Sequence, residues 1–448
     1  MAEMKRILAI LFVLLCLLMF SAFAPKVIAQ QSAVDWSPMF HHDTAHTGYS
    51  TSTGPLTNQT LWIFPTGNSI EYISPAFVNG VVFVGSDDDN VYALNAATGN
   101  KIWSYVTGGA VESSPAVANG VVYIGSDDDN VYVLNATTGT KIWSYPTGGS
   151  VYSCPTVLNG VVYIGSNDFN VYALNAATGT KKWNYNTGNY VYSSPAVVNG
   201  VVYIDSYQDV YALNAATGAK IWSCATGGPM YSSPAVANGV VYVNSNDDVY
   251  ALKATTGKIM WHYQTGGVVE SSPAVANGIV YVGSDDNKVY ALNGTAGSKI
   301  WSYGTGNIVD SSPFVANGVV YVGSEDSNVY ALNASTGNKI WSYLTGSAVE
   351  SSPVVVNGVV YVGSDDSNVY AIGSIAITQL PSTLPSPSPS PSASVSPKPS
   401  TLTISDDFLL IVLVVIIIIG LTVGLGMKRG KSKINNRKVS GSLFLLNG

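Results

Sequence analysis

Arginine is missing from the long middle of this sequence. Its three copies in 448 residues are Arg6, Arg429 and Arg437, all near the ends. Charge of any kind is scarce at 10% of residues, and Gln30 to Asp407 carries 26 acids against 11 lysines, a net −15. A nucleic-acid partner is therefore not expected, because phosphate neutralisation needs a basic surface. Bidentate capture of phosphate or carboxylate usually falls to arginine and is set aside too. Cysteine is equally sparse. Cys16 sits in the N-terminal apolar run, and Cys154 and Cys224 stand at unrelated positions of the third and fourth repeats, so no disulfide is expected. Stability must then come from a packed core rather than from cross-links. What is present is 44 Gly, 28 Tyr and a 47% hydrophobic composition. That profile suits an ordered all-β protein rich in turns, not a disordered chain.

The two ends read as membrane signals. Lys5 and Arg6 precede an apolar run from Ile7 to Phe23, and Val27-Ile28-Ala29 offers a cleavage point, which is the pattern of a secretory leader over 1–29. Near the other end, Phe408 to Met427 has no charge and is long enough to span a bilayer. The tail 428–448 is basic without a single acid. Positive flanks stay cytoplasmic, so both ends predict a single-pass cell-membrane protein with 30–407 outside and the tail in the cytoplasm. Residues 375–407 include a P-S-P-S-P-S-P-S run. Such a composition cannot bury a core and predicts an extended stalk.

Between these ends the chain repeats itself. Trp62, Trp103, Trp143, Trp183, Trp222, Trp261, Trp301 and Trp341 are spaced by 41, 40, 40, 39, 39, 40 and 40 residues. Pro75, Pro115, Pro155, Pro195, Pro234, Pro273, Pro313 and Pro353 mark the same count. Each unit holds four strand signals. In the second repeat these are S-S-P-A-V (strand A), V-V-Y-I-G-S (B), V-Y-V-L-N-A (C) and K-I-W-S-Y (D), split by Asn119-Gly120, an acidic turn and a Thr-Gly turn. Four short strands at a period of about 40 residues predict a blade. The fold class is thus an all-β, eight-bladed β-propeller over 60–374, plus one C-terminal transmembrane helix. The last repeat lacks a Trp strand, and a spare one, Leu61-Trp62-Ile63-Phe64, stands at the front. It is expected to complete the last blade and remove an exposed edge. Segment 30–59, with Trp36, Met39 and Phe40, is expected to pack on the propeller.

The string A-L-N-A-A-T-G-N-K-I-W from Ala93 to Trp103 recurs with small changes in the first seven units. It resembles the tryptophan-docking motif of pyrroloquinoline-quinone-type propellers, with the eight Trp residues in the docking role. The repeat is also similar to that of the outer-membrane-protein assembly factor B family. The first resemblance implies an enzyme class that holds the quinone on the axis with calcium, an arginine and often a pair of adjacent cysteines. This chain has no such arginine and no such cysteine pair, so no cofactor is expected. The second implies a scaffold without enzymatic activity.

Two clusters invite a metal reading. The acidic turns such as Asp127-Asp128-Asp129 offer carboxylates, but consecutive side chains diverge, whereas calcium needs six or more oxygens at one point. Among His41, His42 and His46, His42 and His46 stand four residues apart, but Asp43 takes the place of the glutamate in the H-E-x-x-H pattern of a zinc enzyme. Both are read as structural, as is His262. Sequons stand at Asn58, Asn135, Asn293 and Asn333.

Identical groups repeated around a ring do not make a catalytic site, which needs different groups converging on one point. Function is expected where the copies differ. One position before S-S-P alternates between acid and aromatic: Glu112, Tyr152, Tyr192, Tyr231, Glu270, Asp310 and Glu350, with Glu71 or Tyr72 in the first repeat. Strand A is innermost in a propeller, so these residues are expected at the channel mouth as a candidate ligand-binding ring. Repeats four and five also carry shortened B–C turns, with Asp205 and Asn244 in place of the strand-B glycine. The functional expectation is a surface-displayed binding or scaffolding propeller whose partner is a protein, peptide or glycan. The alternatives are a membrane-tethered quinoprotein oxidoreductase and a structural cell-envelope component.

Overall fold

In the computed structural model, residues 36–373 are described. The leader, the whole stalk, the apolar run at 408–427 and the basic tail lie outside the described residues. Each repeat folds into an antiparallel blade. The second is representative, running from the axis outward as Ala116–Ala118, Val121–Gly125, Asn130–Asn135 and Lys141–Pro146. The tight inner hairpin forms because Asn119 and Gly120 both accept positive φ, at 52° and 75°. The two middle strands are buried along almost their whole length, since each lies between neighbouring blades, while the outer strand half-buries Trp143 and Tyr145 and exposes the rest. Continuous apolar runs in the middle and alternation at the rim are the sequence image of that placement.

The innermost strand is shorter than the sequence suggests. It begins after the proline, and the S-S-P tripeptide precedes it as an extended turn. Proline cannot donate to a ladder, and the serine side chains take over the backbone bonding. Ser74 N donates to Ser114 Oγ, Ser194 N to Ser233 Oγ, Ser272 N to Ser312 Oγ and Ser312 N to Ser352 Oγ, at 2.8–3.0 Å. This serine relay runs around the axis, with Cys154 Sγ accepting from Ser114 N at 3.2 Å in the third blade. In the fourth blade the shortened turn fuses strands B and C into one run, Val201–Asn214.

Tryptophan docks each blade to the next. Trp62 donates its indole N–H to Ala96 O at 2.8 Å, and Trp103 to Ala136 O at 2.9 Å, with equivalents around the ring. The ring lies under the glycine of the Thr-Gly turn. A Cβ on Gly99, whose φ is +71°, would stand 2.7 Å from the Trp62 ring, so that glycine serves both the turn and the close approach. Phe83 and Trp103 of the first blade share one cluster with Val122, Ile124, Tyr132 and Leu134 of the second. The inter-blade seams are thus the hydrophobic core.

The front strand Thr60–Pro65 pairs antiparallel with Asn368–Gly373 in the register Trp62↔Ala371, Ile63↔Tyr370, Phe64↔Val369. The last blade is completed by the beginning of the chain. The eighth blade has no Thr-Gly turn of its own, and Trp341 donates instead to Pro55 O at 3.3 Å. Segment 37–53 runs around one end of the axis. Its carbonyls at Pro38, Thr44, Ala45, Thr47, Gly48 and Thr53 accept from Val117, Val197, Val236, Val275, Val315 and Gly358. Ser37 bridges Phe77 of the first blade, and His46 reaches Thr156 of the third. All eight blades touch this strap. Among the described residues no helix is long and apolar enough to cross a membrane.

Candidate functional site

The D–A loops and B–C turns gather at the end of the axis opposite the strap and surround a cavity of about 400 Å³. Its floor is Phe40 of the strap with part of the serine relay and Cys154. Its wall contains every residue of the variable ring: Glu112, Tyr152, Tyr192, Tyr231, Glu270, Asp310 and Glu350. In the first blade Tyr72, not Glu71, lines it. No lysine, arginine or histidine does.

The aromatic side is a packed arc. Ring centroids of Tyr152 and Tyr192 lie 5.9 Å apart, and those of Tyr192 and Tyr231 6.4 Å apart. The arc extends outward through Tyr190, 5.7 Å from Tyr192, to Phe169, 5.1 Å from Tyr190. Phe169 and Tyr190 were not singled out from sequence. The signal was there: Phe169 replaces the small polar residue that ends other B–C turns, and it holds a φ of +73°, a conformation rarely adopted by a bulky side chain. Tyr152 donates to Asp127 Oδ2 at 3.2 Å. Burial and the carboxyls of Asp127 and Glu112 push its hydroxyl up to about 12.

The acidic side is uncompensated. Burial, then Glu270 and Asp285, push the Asp310 carboxyl up to about 8. Burial, then Asp127 and Asp87, push Glu112 up to about 7. Glu270 and Glu350 are raised by burial first, as is Asp365, which reaches about 7. Desolvation and like charge act in the same direction. Asp310 Oδ1 and Glu350 Oε2 are buried and have no hydrogen-bond partner. Among the described residues the ion pairs are His262–Asp248 and Lys288–Asp286, and neither lines the cavity.

The other candidates have structural jobs. The middle acid of each long B–C turn is a latch. Asp128 Oδ2 accepts from Gly108 N at 2.7 Å and from the Tyr132 hydroxyl at 2.5 Å, and Asp88 and Asp326 repeat the arrangement. The fourth and fifth blades lack it, and Tyr211 and Tyr250 donate to backbone carbonyls instead. Among the described residues no group of His, Cys, Asp or Glu could hold a metal ion. His41 and His46 are buried in the strap, where desolvation lowers them to about 4 and about 3. His41 Nδ1 faces His46 O, and His46 Nε2 faces Thr156 Oγ1 at 3.1 Å. His262 sits on an outer strand, 3.1 Å from Asp248. Cys154 and Cys224 are free.

Fold and site together define a tryptophan-docked, quinoprotein-like eight-bladed propeller with an axial cavity closed at one end by its own N-terminal strap. The family model described as outer membrane protein assembly factor BamB matches residues 50–188, 189–268 and 245–376, and the chain belongs to that family. The structure of BamB from Moraxella catarrhalis is similar at 20% identity and a TM-score of 0.62, covering 71% of this chain and all of that one. A europium-containing methanol dehydrogenase is similar at 14% identity and a TM-score of 0.65, covering 78% and 100%. Quinohemoprotein alcohol dehydrogenase from Comamonas testosteroni follows at 17% and 0.67, covering 77% and 82%. At these identities the likeness is one of fold. No curated protein sequence matches the chain.

Proposed function

We propose that this protein is a non-catalytic binding propeller, displayed outside the membrane, which takes a ligand or a projecting part of a partner into the axial cavity. The observation that carries this reading is the convergence of all the variable ring positions on one cavity closed at its far end. Its size lies in the range of ligand sites, about 300–1,000 Å³. Repetition argues for binding over catalysis, because the wall offers one aromatic surface and one acidic surface and no nucleophile paired with a base.

The dehydrogenase likeness raises the question of a quinone. Pyrroloquinoline quinone is a polycarboxylate anion. The cavity would present it with Glu112, Glu270, Asp310 and Glu350 and no cationic side chain. The residues present do not fit this cofactor, and no reaction step runs through it here. The assembly-factor likeness supports a protein partner in the cell envelope.

The test is a paired screen of glycan and peptide arrays with the wild-type chain and a Tyr152→Ser, Tyr192→Ser, Tyr231→Ser variant. Array signals that vanish in the variant, with its melting temperature retained, support binding in the cavity. Signals that survive unchanged place binding elsewhere and overturn the reading.

A further inference from the structure

Building on that reading, we infer that the cavity selects an organic cation, an ammonium or guanidinium group carried on an aliphatic stem, which lies between the tyrosine arc and the facing carboxyls. Three features of the wall point the same way. First, the acidic arc has no counter-charge. Glu270, Asp310 and Glu350 stand on successive blades, and no basic side chain lines the cavity. Second, Tyr152, Tyr192 and Tyr231 occupy the other side as a contiguous aromatic surface. Aromatic faces attract cations and cover apolar stems at once, and this attraction strengthens when water is excluded. Third, Asp310 Oδ1 and Glu350 Oε2 are buried oxygens without a donor, even though Asp285 and Tyr72 share hydrogen bonds with the same two carboxyls. Leaving such groups unpaired is costly, and a ligand that donates N–H bonds relieves the cost.

A metal ion fits less well. No cluster of three ligating side chains exists among the described residues, and the space is far larger than one ion. A neutral sugar would stack on the tyrosines and donate hydroxyls to the carboxyls but would leave their negative charge uncompensated.

The wall also fixes how binding depends on pH. Asp310 is faced by Glu270, Asp285 and Glu325, and Glu350 by Tyr72, Glu71, Glu325 and Glu270. Every one of these groups is an acid or a neutral hydroxyl, so none supplies positive charge. A cation therefore displaces protons held by the raised carboxyls. Its affinity rises with pH until those carboxyls are ionised, while Tyr152, pushed up to about 12, stays neutral throughout.

The experiment is calorimetric titration of the full-length chain at pH 6 and pH 9. The probes are spermidine as a free amine, a capped Gly-Lys-Gly-Lys-Gly peptide as a chain-borne one, and cellobiose as a neutral control. The same titrations use the Asp310→Asn, Glu350→Gln variant, which keeps side-chain shape and removes buried acids, so that a retained melting temperature certifies its fold. The expected result is binding of at least one amine with a Kd of about 1 mM or tighter. That binding strengthens roughly tenfold or more from pH 6 to pH 9, as proton displacement requires, and it falls about tenfold in the variant at pH 9. Spermidine and the peptide separate a free amine from a lysine of a partner. Cellobiose binding equally at both pH values would keep the cavity as a binding site and overturn the cation. So would amine binding that ignores both pH and the variant. No binding by either amine also overturns the cation, and the array comparison above then judges the cavity by itself.

Discussion

Replacing Trp62 by alanine tests the closure of the ring. Trp62 packs on Tyr361 at 5.8 Å, covers Gly99 and donates to Ala96 O at 2.8 Å. A buried Trp→Ala change costs about 3–5 kcal/mol, and a lost hydrogen bond adds about 1 kcal/mol. Trp301 makes the matching set within the array, with Tyr281 at 5.9 Å and Ala334 O at 2.9 Å, so Trp301→Ala measures docking alone. Trp62 differs in one respect. Its strand joins the last blade from the far end of the chain, held to it by pairing and not by a connecting turn. Losing it frees a sheet edge in the eighth blade and the strap that precedes it. Trp62→Ala is therefore expected to fall further than Trp301→Ala, by about 10 °C or more below wild type at roughly 2 °C per kcal/mol for a domain of this size. Trp36, 55% exposed, supplies the control. Thermal melting of the three variants decides the matter, with limited proteolysis of the strap as a second readout. A Trp62→Ala protein that melts no lower than Trp36→Ala refutes the closure argument.

Two further outcomes follow from individual residues. Asp205 is buried with neither carboxyl oxygen partnered, and desolvation raises it well above the usual value of 3.8. An acid raised on folding has its full stability below the unfolded pKa and loses it as pH rises toward the folded one. Asp205→Gly, the residue of every other blade except the fifth, should stabilise by about 1–3 kcal/mol and by more at pH 8 than at pH 5 in urea melts. A gain that shrinks with pH contradicts the assignment. Asp128→Ala should cost about 1–3 kcal/mol because it strands Gly108 N and the Tyr132 hydroxyl. Asp247→Ala, in the fifth-blade turn that lacks the latch, loses only solvent-exposed bonds from Asn246 and Gln264 and should change stability by less than about 0.5 kcal/mol, and equal losses in the two would remove the latch from the account.

Most of the fold was legible because one unit is written eight times. Trp and Pro spacing, the Asn-Gly hairpin and the Thr-Gly turn each report a local backbone requirement that repetition makes unmistakable. The channel positions were legible as departures from that repeat, and Glu112, Tyr152 and their equivalents meet in one cavity. What escaped was non-local. Nothing in residues 37–53 looks like a strap, because its bonds to seven of the eight blades come from backbone carbonyls, and backbone bonding leaves no trace in side-chain pattern. Pro55 standing in for a missing turn beneath Trp341 is hidden for the same reason. The serine relay was misread as strand, since S-S-P-A-V has strand composition while its serines bond across blades. Asp128 was read as a polar turn residue because its partners, Gly108 and Tyr132, lie on either side of it in sequence.

The central claim is that the axial cavity binds a ligand and does not house a quinone for catalysis. Its most direct test is titration of the full-length chain with pyrroloquinoline quinone and calcium, followed by absorbance and melting temperature. The account predicts no saturable change in absorbance and no rise in melting temperature, because every charged side chain lining the cavity is a carboxyl. Saturable binding with a raised melting temperature would contradict it and return the protein to the dehydrogenases whose fold it shares.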